Sequence, residues 1–308
     1  MAPIKIGLVG VGKIARDQHL PAIAGNPDFQ LAAVASRHHR LEGVASYTDL
    51  AGLLDAHPDI EAVTLCTPPQ GRHHLIREAL EKGRHVMVEK PPGATVSEVE
   101  SLAELAREKG LTLFTTWHSR HSPAVEPARA WLAGRTLKSV AISWKEDVRV
   151  WHPGQQWIWQ PGGLGVFDPG INGLSIATRI LPRPLYIETA TLDFPANCQA
   201  PIAAHLALRD SAGIPVSAEF DFLQTGPQSW DITVETEGGV LTLSLGGGAM
   251  AIDGIPQTLP REEEYPSLYR RFAELIGTRS VDTDLSPLRL VADAFLCGER
   301  RIVEPFIE

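Results

Sequence analysis

The sequence predicts an α/β protein of two domains, and three observations carry that reading. Up to about residue 120, short continuous apolar runs alternate with amphipathic helical stretches, the pattern of a parallel sheet covered on both faces. Beyond that point apolar and polar residues alternate within each run, the pattern of a sheet with one wet face. The length, 308 residues, exceeds what one hydrophobic core comfortably organises. The expected domains are 1–120 and 121–308, divided by a change of architecture with no flexible linker and no internal repeat.

The elements follow in order. "IKIGLVG" (4–10), "FQLAAVAS" (29–36), "IEAVTLCTPP" (60–69), "HVMVEKPP" (85–92) and "LTLFTTWHS" (111–119) are the strands of the first sheet. Between them, "RHHLIREALEKG" (72–83) carries Leu75, Ile76, Ala79 and Leu80 at helical spacing and stops on Gly83. "TVSEVESLAELAREKG" (95–110) carries Val99, Leu102, Leu105 and Ala106 on one face and stops on Gly110. "SPAVEPARAWLAG" (122–134) reads as a linking helix. Strands of a large open, mainly antiparallel sheet are expected at 137–148, 185–194, 201–210, 214–222, 229–238 and 239–247. Within them Val216, Ala218, Phe220 and Phe222 alternate with Ser217, Glu219 and Asp221. Two helices close the chain, 264–277 and 286–300, and the last is expected to pack back on the first domain.

Composition narrows the function. Apolar residues make up 44% and charged residues 21%, which fits a globular chain. A net charge of −9 argues against a nucleic-acid or anionic-membrane surface. Cys66, Cys198 and Cys297 stand far apart with no metal-finger spacing, so reduced thiols and no metal are expected. No apolar run approaches a membrane span, and "MAPIKIGLVG" lacks a basic leader and a long apolar core. A cytoplasmic location is therefore expected.

The stretch "GLVGVGKIA" follows the first strand and opens a helix, the context that gives Gly10-x-Gly12-x-x-Ala15 a meaning. Gly10 allows the tight turn, and Gly12 lets backbone approach a pyrophosphate. Ala15 allows close packing, and the helix start offers N–H groups to phosphates. This is the fingerprint of a Rossmann dinucleotide-binding domain. The second strand ends in Ser36, Arg37, His38, His39 and Arg40, with no acid before Glu42. An acid there would bind the ribose hydroxyl of NAD, whereas this basic cluster attracts a 2′-phosphate. NADP is the preferred cofactor, and nothing forbids the bare ribose of NAD.

Two segments are built for chemistry. "VEKPP" (88–92) ends a parallel strand, the edge where such sheets bind ligands, so Lys90 can face nicotinamide and substrate. A surface lysine closing a strand is the competing reading. "WKEDVRVWHPGQQWIWQPGGLGVFDPGIN" (144–172) sets Trp151, Trp157 and Trp159 among Pro and Gly, and flat indole faces suit the C–H faces of sugars. Wedging onto the core competes for some of them, Trp157 or Trp159 first. Asp168 and Asn172, four apart, share a face if a helix starts there, unless Asp168 merely caps it.

Over essentially its whole length the chain resembles the glucose–fructose oxidoreductase/inositol dehydrogenase (Gfo/Idh/MocA) family. The resemblance rests on Gly10-x-Gly12-x-x-Ala15, Glu89-Lys90-Pro91, Asp168-x-Gly170-x-Asn172 and the late helix "PLRLVADAF". It implies a Rossmann domain followed by an α/β domain whose open sheet often forms an oligomer contact, and an active site pairing Lys90 with Asp168. Asn172 stands where the family's usual His is expected, and Arg72 where many members have His. "EKPPGAT" and the Trp-rich segment are similar to one branch of the family, bacterial L-arabinose/D-galactose 1-dehydrogenases, in which Asn is part of the pattern. That branch oxidises the anomeric carbon of an aldopyranose to a lactone.

What the resemblance implies can be put on residues. Asp168 is the proton acceptor, Lys90 the cation that steadies the developing alkoxide, and Asn172 the donor that orients the hydroxyl. Alternatively Lys90 is the base and Asp168 tunes it. His118, Glu146, Trp151 and Trp230 hold the sugar. Gly10, Gly12, Lys13, Ile14, Ser36, Arg37, His38, Cys66, Thr67, Pro68, Glu89, Lys90 and His118 line the cofactor. Competing readings are an inositol or glucose dehydrogenase of the same family, and a non-catalytic NADP sensor. Homodimer through the open sheet and monomer both stay open.

Overall fold

The computed structural model describes residues 2–261 and 263–308; Met1 of the expected first domain lies outside them. The chain falls into two compact units: residues up to His118 together with Tyr265–Asp284, and Ser119–Glu264 together with Leu285–Glu308.

In the first unit β1 (Ile4–Val9) leads through a π-helical turn (Ala15–His19) into α1 (Leu20–Ala24). Then come β2 (Phe29–Ala35), β3 (Ala45–Tyr47), α2 (Leu50–Ala56), β4 (Ala62–Leu65) and α3 (Arg72–Glu81). β5 (His85–Glu89), α4 (Val96–Glu108) and β6 (Leu113–Thr116) complete this run. The six strands are all parallel, in the order β3-β2-β1-β4-β5-β6. That is the doubly wound order of a dinucleotide-binding fold, whose carboxyl strand ends share one edge.

Side chains alternate between two cores because successive residues of a strand point to opposite faces. Val63, Leu65, Val86, Val88 and Leu113 join Leu53 of α2, Ile76 and Leu80 of α3, and Leu102 of α4. Ile6, Leu8, Ala62, Met87 and Phe114 join Tyr265, Leu268, Tyr269, Phe272 and Leu275 of a helix from far along the chain, Glu264–Thr278. The helix expected at 286–300 runs over Ser286–Cys297 and falls in the second unit, while the preceding helix belongs to the core of the first. Its i, i+3, i+4, i+7 aromatic and leucine stripe supplies the apolar face the sheet needs.

The second unit contains α5 (Val125–Leu132), β7 (Leu137–Lys145), α6 (Val148–Trp151), α7 (Phe167–Ile180) and β8 (Leu185–Pro195). β9 (Ala203–Asp210), β10 (Pro215–Asp221), β11 (Ser229–Thr236), β12 (Gly239–Ser244), β13 (Ala249–Ile252) and β14 (Ile255–Pro256) follow. After Glu264–Thr278 (α8), the chain ends with α9 (Ser286–Cys297) and β15 (Glu299–Val303). The nine-stranded order is β14-β13-β12-β11-β7-β10-β9-β8-β15, antiparallel except at β7–β10 and β8–β15. The chemistry of "CGERRIV" explains the early stop of the last helix: Gly298 ends it, and the next five residues pair with β8 as an edge strand.

One face of this sheet is dry. Val140, Ile142 and Trp144 of β7 and Val216, Ala218 and Phe220 of β10 are buried, while Ser217 and Glu219 are exposed on the open face. Helix α7 lies close on the dry face because two of its residues have no side chain. A Cβ on Gly170 would come within 2.9 Å of the Phe220 ring, and one on Gly173 within 2.8 Å of Trp144.

Candidate active site

In the first unit the expected cofactor residues follow consecutive strand ends: Gly10 after β1, Ser36 after β2, Cys66 after β4, Lys90 after β5, and His118 just past β6. Gly10 takes φ +93°, and a Cβ there would meet the Cys66 backbone at 3.0 Å. Gly12 is the opposite case, with nothing within 4 Å of where a Cβ would stand. A tight turn followed by open room over the backbone is the cradle a dinucleotide pyrophosphate requires, so the residues present fit the cofactor. Lys13 is exposed and paired with Asp17; Ile14 is half-buried. Arg37 and His38 are exposed, and Ser36 Oγ accepts from His39 N at 3.3 Å. Arg16, which sequence reasoning passed over, donates to Arg40 O at 3.3 Å and brings another cation to this loop.

Beneath Lys90 lies a buried polar network in which Glu89 is joined by His19, Tyr265 and Tyr269, three residues the sequence did not single out. Glu89 Oε1 accepts from Tyr265 Oη at 2.9 Å and sits 2.9 Å from His19 Nε2; Glu89 Oε2 accepts from Lys90 N at 3.1 Å. His19 Nδ1 is 2.9 Å from Tyr269 Oη. Burial by itself would raise the Glu89 carboxyl, but the bond to His19 and its charge, with His118 and Lys90, outweigh it and hold Glu89 at about 2. Burial also opposes a charged His19; Cys66, Tyr269 and the bond to Glu89 overcome it and lift His19 well above its ordinary value. The His118 ring stacks on Tyr265, centroids 5.7 Å apart. Arg72 is buried and gathers three carbonyls, Thr67 O (Nε at 2.6 Å), Glu89 O and Pro91 O, so it fixes the loops after β4 and β5 together. Pro68, beside it, is exposed.

In the second unit a cluster gathers where β7 runs into α6. Glu146 is 2% exposed and Asp168 3% exposed. Glu146 accepts from Trp230 Nε1 at 2.8 Å and lies 2.9 Å from His152 Nε2. His152 Nδ1 stands 3.7 Å from Asp168 Oδ2, so the imidazole lies between two buried carboxylates and is hydrogen-bonded to Glu146. Trp151 meets Trp230 edge-on at 4.7 Å, and Trp230 stacks over Trp144. Trp159 is the wedge: it is buried against Phe222 and Phe306. Asp168 lies in the first turn of α7, whose start at Val166 has no side-chain cap. Asn172, half-buried, follows one turn on, on the same face. Of the expected sugar-binding set, Glu146, Trp151 and Trp230 meet in one cluster with Asp168, while His118 belongs to the first unit. His152 was overlooked although it follows Trp151 directly; its Pro-Gly neighbours gave no periodicity that points to a partner.

The family model described as an oxidoreductase family with an NAD-binding Rossmann fold (Gfo/Idh/MocA) matches residues 4–116. A galactose 1-dehydrogenase of Pseudomonas fluorescens is 50% identical over 308 residues, all of this chain and all of its own. The chain belongs to the Gfo/Idh/MocA oxidoreductase family. Among solved structures, a D-galactose-1-dehydrogenase protein from Rhizobium etli superposes with a TM-score of 0.96 and 59% identity, covering 100% of this chain and 99% of its own. The 3-ketoreductase KijD10 from Actinomadura kijaniata, in complex with NADP and TDP-benzene, gives 0.84 at 20% identity, with 98% and 99% covered. At that identity the second likeness shows the fold alone. The membership of this family expected from the sequence is thereby shown. No described helix is long and apolar enough to cross a membrane, and no group of potential metal ligands occurs among the described residues.

Proposed function

We propose that this oxidoreductase converts the anomeric CH–OH of D-galactose and L-arabinose to the lactone with NADP. The observation that carries the proposal is the Glu146–Trp230–His152–Asp168 cluster, set in a chain half identical to a galactose 1-dehydrogenase over its full length. Two buried carboxylates beside two indoles offer acceptors for several hydroxyls and a flat face for C–H bonds.

When bound, the nicotinamide takes the hydride from the anomeric carbon. The rest is work for this chain. Asp168 accepts the hydroxyl proton, because Asn172 cannot hold one and an ammonium at Lys90 must first lose its own. Lys90 steadies the charge that develops on that oxygen, and Asn172 orients it. Glu146 and Trp230 fix ring hydroxyls, Trp151 covers the sugar, and His118 completes the set. Gly10 and Gly12 hold the pyrophosphate, and Arg37, with Ser36 and His38, favours the 2′-phosphate over a bare ribose. Residues Lys13, Ile14, Cys66, Thr67 and Pro68 pass alongside. The two sugars share ring stereochemistry and differ by one exocyclic carbon, worth about 1–3 kcal/mol in a pocket, so activities on both are expected. The open face carrying Ser217 and Glu219 is the surface on which a second copy would pair; sedimentation velocity reads that state.

The test is a spectrophotometric panel of D-galactose, L-arabinose, D-xylose, D-glucose and myo-inositol, each with NADP and NAD. Turnover fastest on the first two with NADP is expected. Preference for myo-inositol, or tight cofactor binding with no turnover on any aldose, would reject the proposal.

A further inference from the structure

We propose that residues 306–308 hold the Trp151 loop in place for the sugar, with Phe306 as the main positioning residue. The inference rests on the reading of Trp151 as the cover of the sugar. Trp151 ends α6, a single helical turn (Val148–Trp151), and is 40% exposed. A lone turn is not stable by itself. Beyond it Pro153, Gly154 and Gln156 are exposed, and buried chain resumes only at Ile158 and Trp159. A stretch with so little core of its own keeps one shape only if other parts of the fold grip it.

After β15 the chain returns to this stretch and grips it. Asn197 pins the backbone of Phe306 from both sides: its Nδ2 donates to Phe306 O at 2.8 Å, and Phe306 N donates to its Oδ1 at 2.9 Å. The Phe306 ring then stands against Trp159, centroids 5.2 Å apart, with the Arg149 guanidinium 4.8 Å from the ring centroid. Trp159 is 8% exposed and packed on Phe222, so the Phe306 ring carries a fixed position from the core to α6. Arg149 also donates to Ile307 O at 3.2 Å, and Asp147 lies 3.6 Å from its guanidinium. On the far side of Trp151, the Glu308 carboxylate accepts from Gly154 N and from Gln156 Nε2, the latter at 3.3 Å. The grip therefore falls at 149 and at 154–156, and Trp151 and His152 lie between the two.

This arrangement has a kinetic signature. A loop ordered before the sugar arrives spares the sugar the cost of ordering it. Once the tail is released, apparent affinity drops by the fraction of molecules that still hold the loop in place. The bound complex keeps the same geometry at Asp168, so KM for the sugar rises while kcat holds. The cofactor residues Gly10 to His118 belong to the first unit, and KM for NADP holds as well.

Phe306→Ala should raise KM for D-galactose by about fivefold to fiftyfold, the range that one cation–π contact and one aromatic contact supply. Phe306→Tyr, which keeps a flat ring for Arg149 and Trp159, should stay near wild type. Asn197→Ala, which frees the tail and leaves the ring intact, should move KM in the same direction as Phe306→Ala. A second readout needs no turnover. Hydrogen exchange followed by mass spectrometry on the ligand-free protein should be faster over 149–156 in Phe306→Ala and Glu308→Ala, and unchanged over β7. A merely structural tail would lower the melting temperature and leave KM for the sugar where it was. Wild-type KM for D-galactose in Phe306→Ala, unaltered exchange over 149–156, or equal losses in Phe306→Tyr and Phe306→Ala would overturn the proposal. A wild-type protein idle on every aldose would instead defeat the proposed function, and the exchange experiment would still decide whether the tail orders the loop.

Discussion

Replacing Gly173 by Ala tests how α7 is seated. In an exposed helix interior this change stabilises by about 1 kcal/mol, since glycine loses more backbone freedom on folding. At Gly173 the new Cβ would stand 2.8 Å from Trp144 Cε3 and 3.1 Å from Ile142 Cγ2. Both side chains are buried in β7 at 4% and 2% exposure, so neither can swing into water. Overpacking of this kind costs about 1–3 kcal/mol, which reverses the propensity gain and leaves a net loss of up to about 2 kcal/mol. Thermal unfolding followed by circular dichroism should show a fall of a few °C, about 2–4 °C per kcal/mol for chains somewhat smaller than this one. Gly277, in α8 with nothing within 4 Å of its Cβ position, is the internal control; Gly277→Ala should hold or raise the melting temperature. Because α7 carries Asp168 and Asn172, Gly173→Ala should also lose kcat at temperatures well below its melt. A Gly173→Ala protein as stable as Gly277→Ala, with full activity, would refute this view of the helix seat.

Three further outcomes follow. Glu89 at about 2, against an ordinary 4.5, stabilises the fold above pH 4.5 and loses that contribution as pH falls toward 2, a term on the order of 3 kcal/mol. His19, raised above 6.5, contributes below that pH and loses its share as pH rises through its folded-state pKa. Melting temperature should therefore decline on both sides, and Glu89→Gln should flatten the acid side; an unchanged acid side would contradict the network. Arg72→Ala strands carbonyls of Thr67, Glu89 and Pro91 and should cost about 1–3 kcal/mol in urea unfolding, only partly recovered by Lys, which lacks the guanidinium fork. Arg37→Ala should raise KM for NADP by about tenfold and leave KM for NAD nearly unchanged; equal changes would remove Arg37 from the 2′-phosphate site.

The parallel strands were legible because burial on both faces makes them continuous apolar runs, as in Val86–Val88 and Ala62–Leu65. The three-residue β3 and the charged β15 carry no such signal; both are edge strands made of exposed or half-buried residues. Lys90, Asp168 and Asn172 could be picked out from strand-end and helix-start positions. The networks around them could not: His19 reaches Tyr269 across 250 residues of sequence, and Trp230 reaches Glu146 across 84. Local pattern says nothing about partners that only the fold brings together. His152 lies closer to Glu146, but the Pro-Gly loop that aims it has no repeating period.

The central claim is that hydrogen leaves the anomeric carbon of the sugar. D-Galactose carrying deuterium at C1, oxidised with NADP, should deliver its deuterium to the reduced nicotinamide and slow kcat/KM relative to the unlabelled sugar. Deuterium retained in the sugar product would place the oxidation at another carbon and contradict the account.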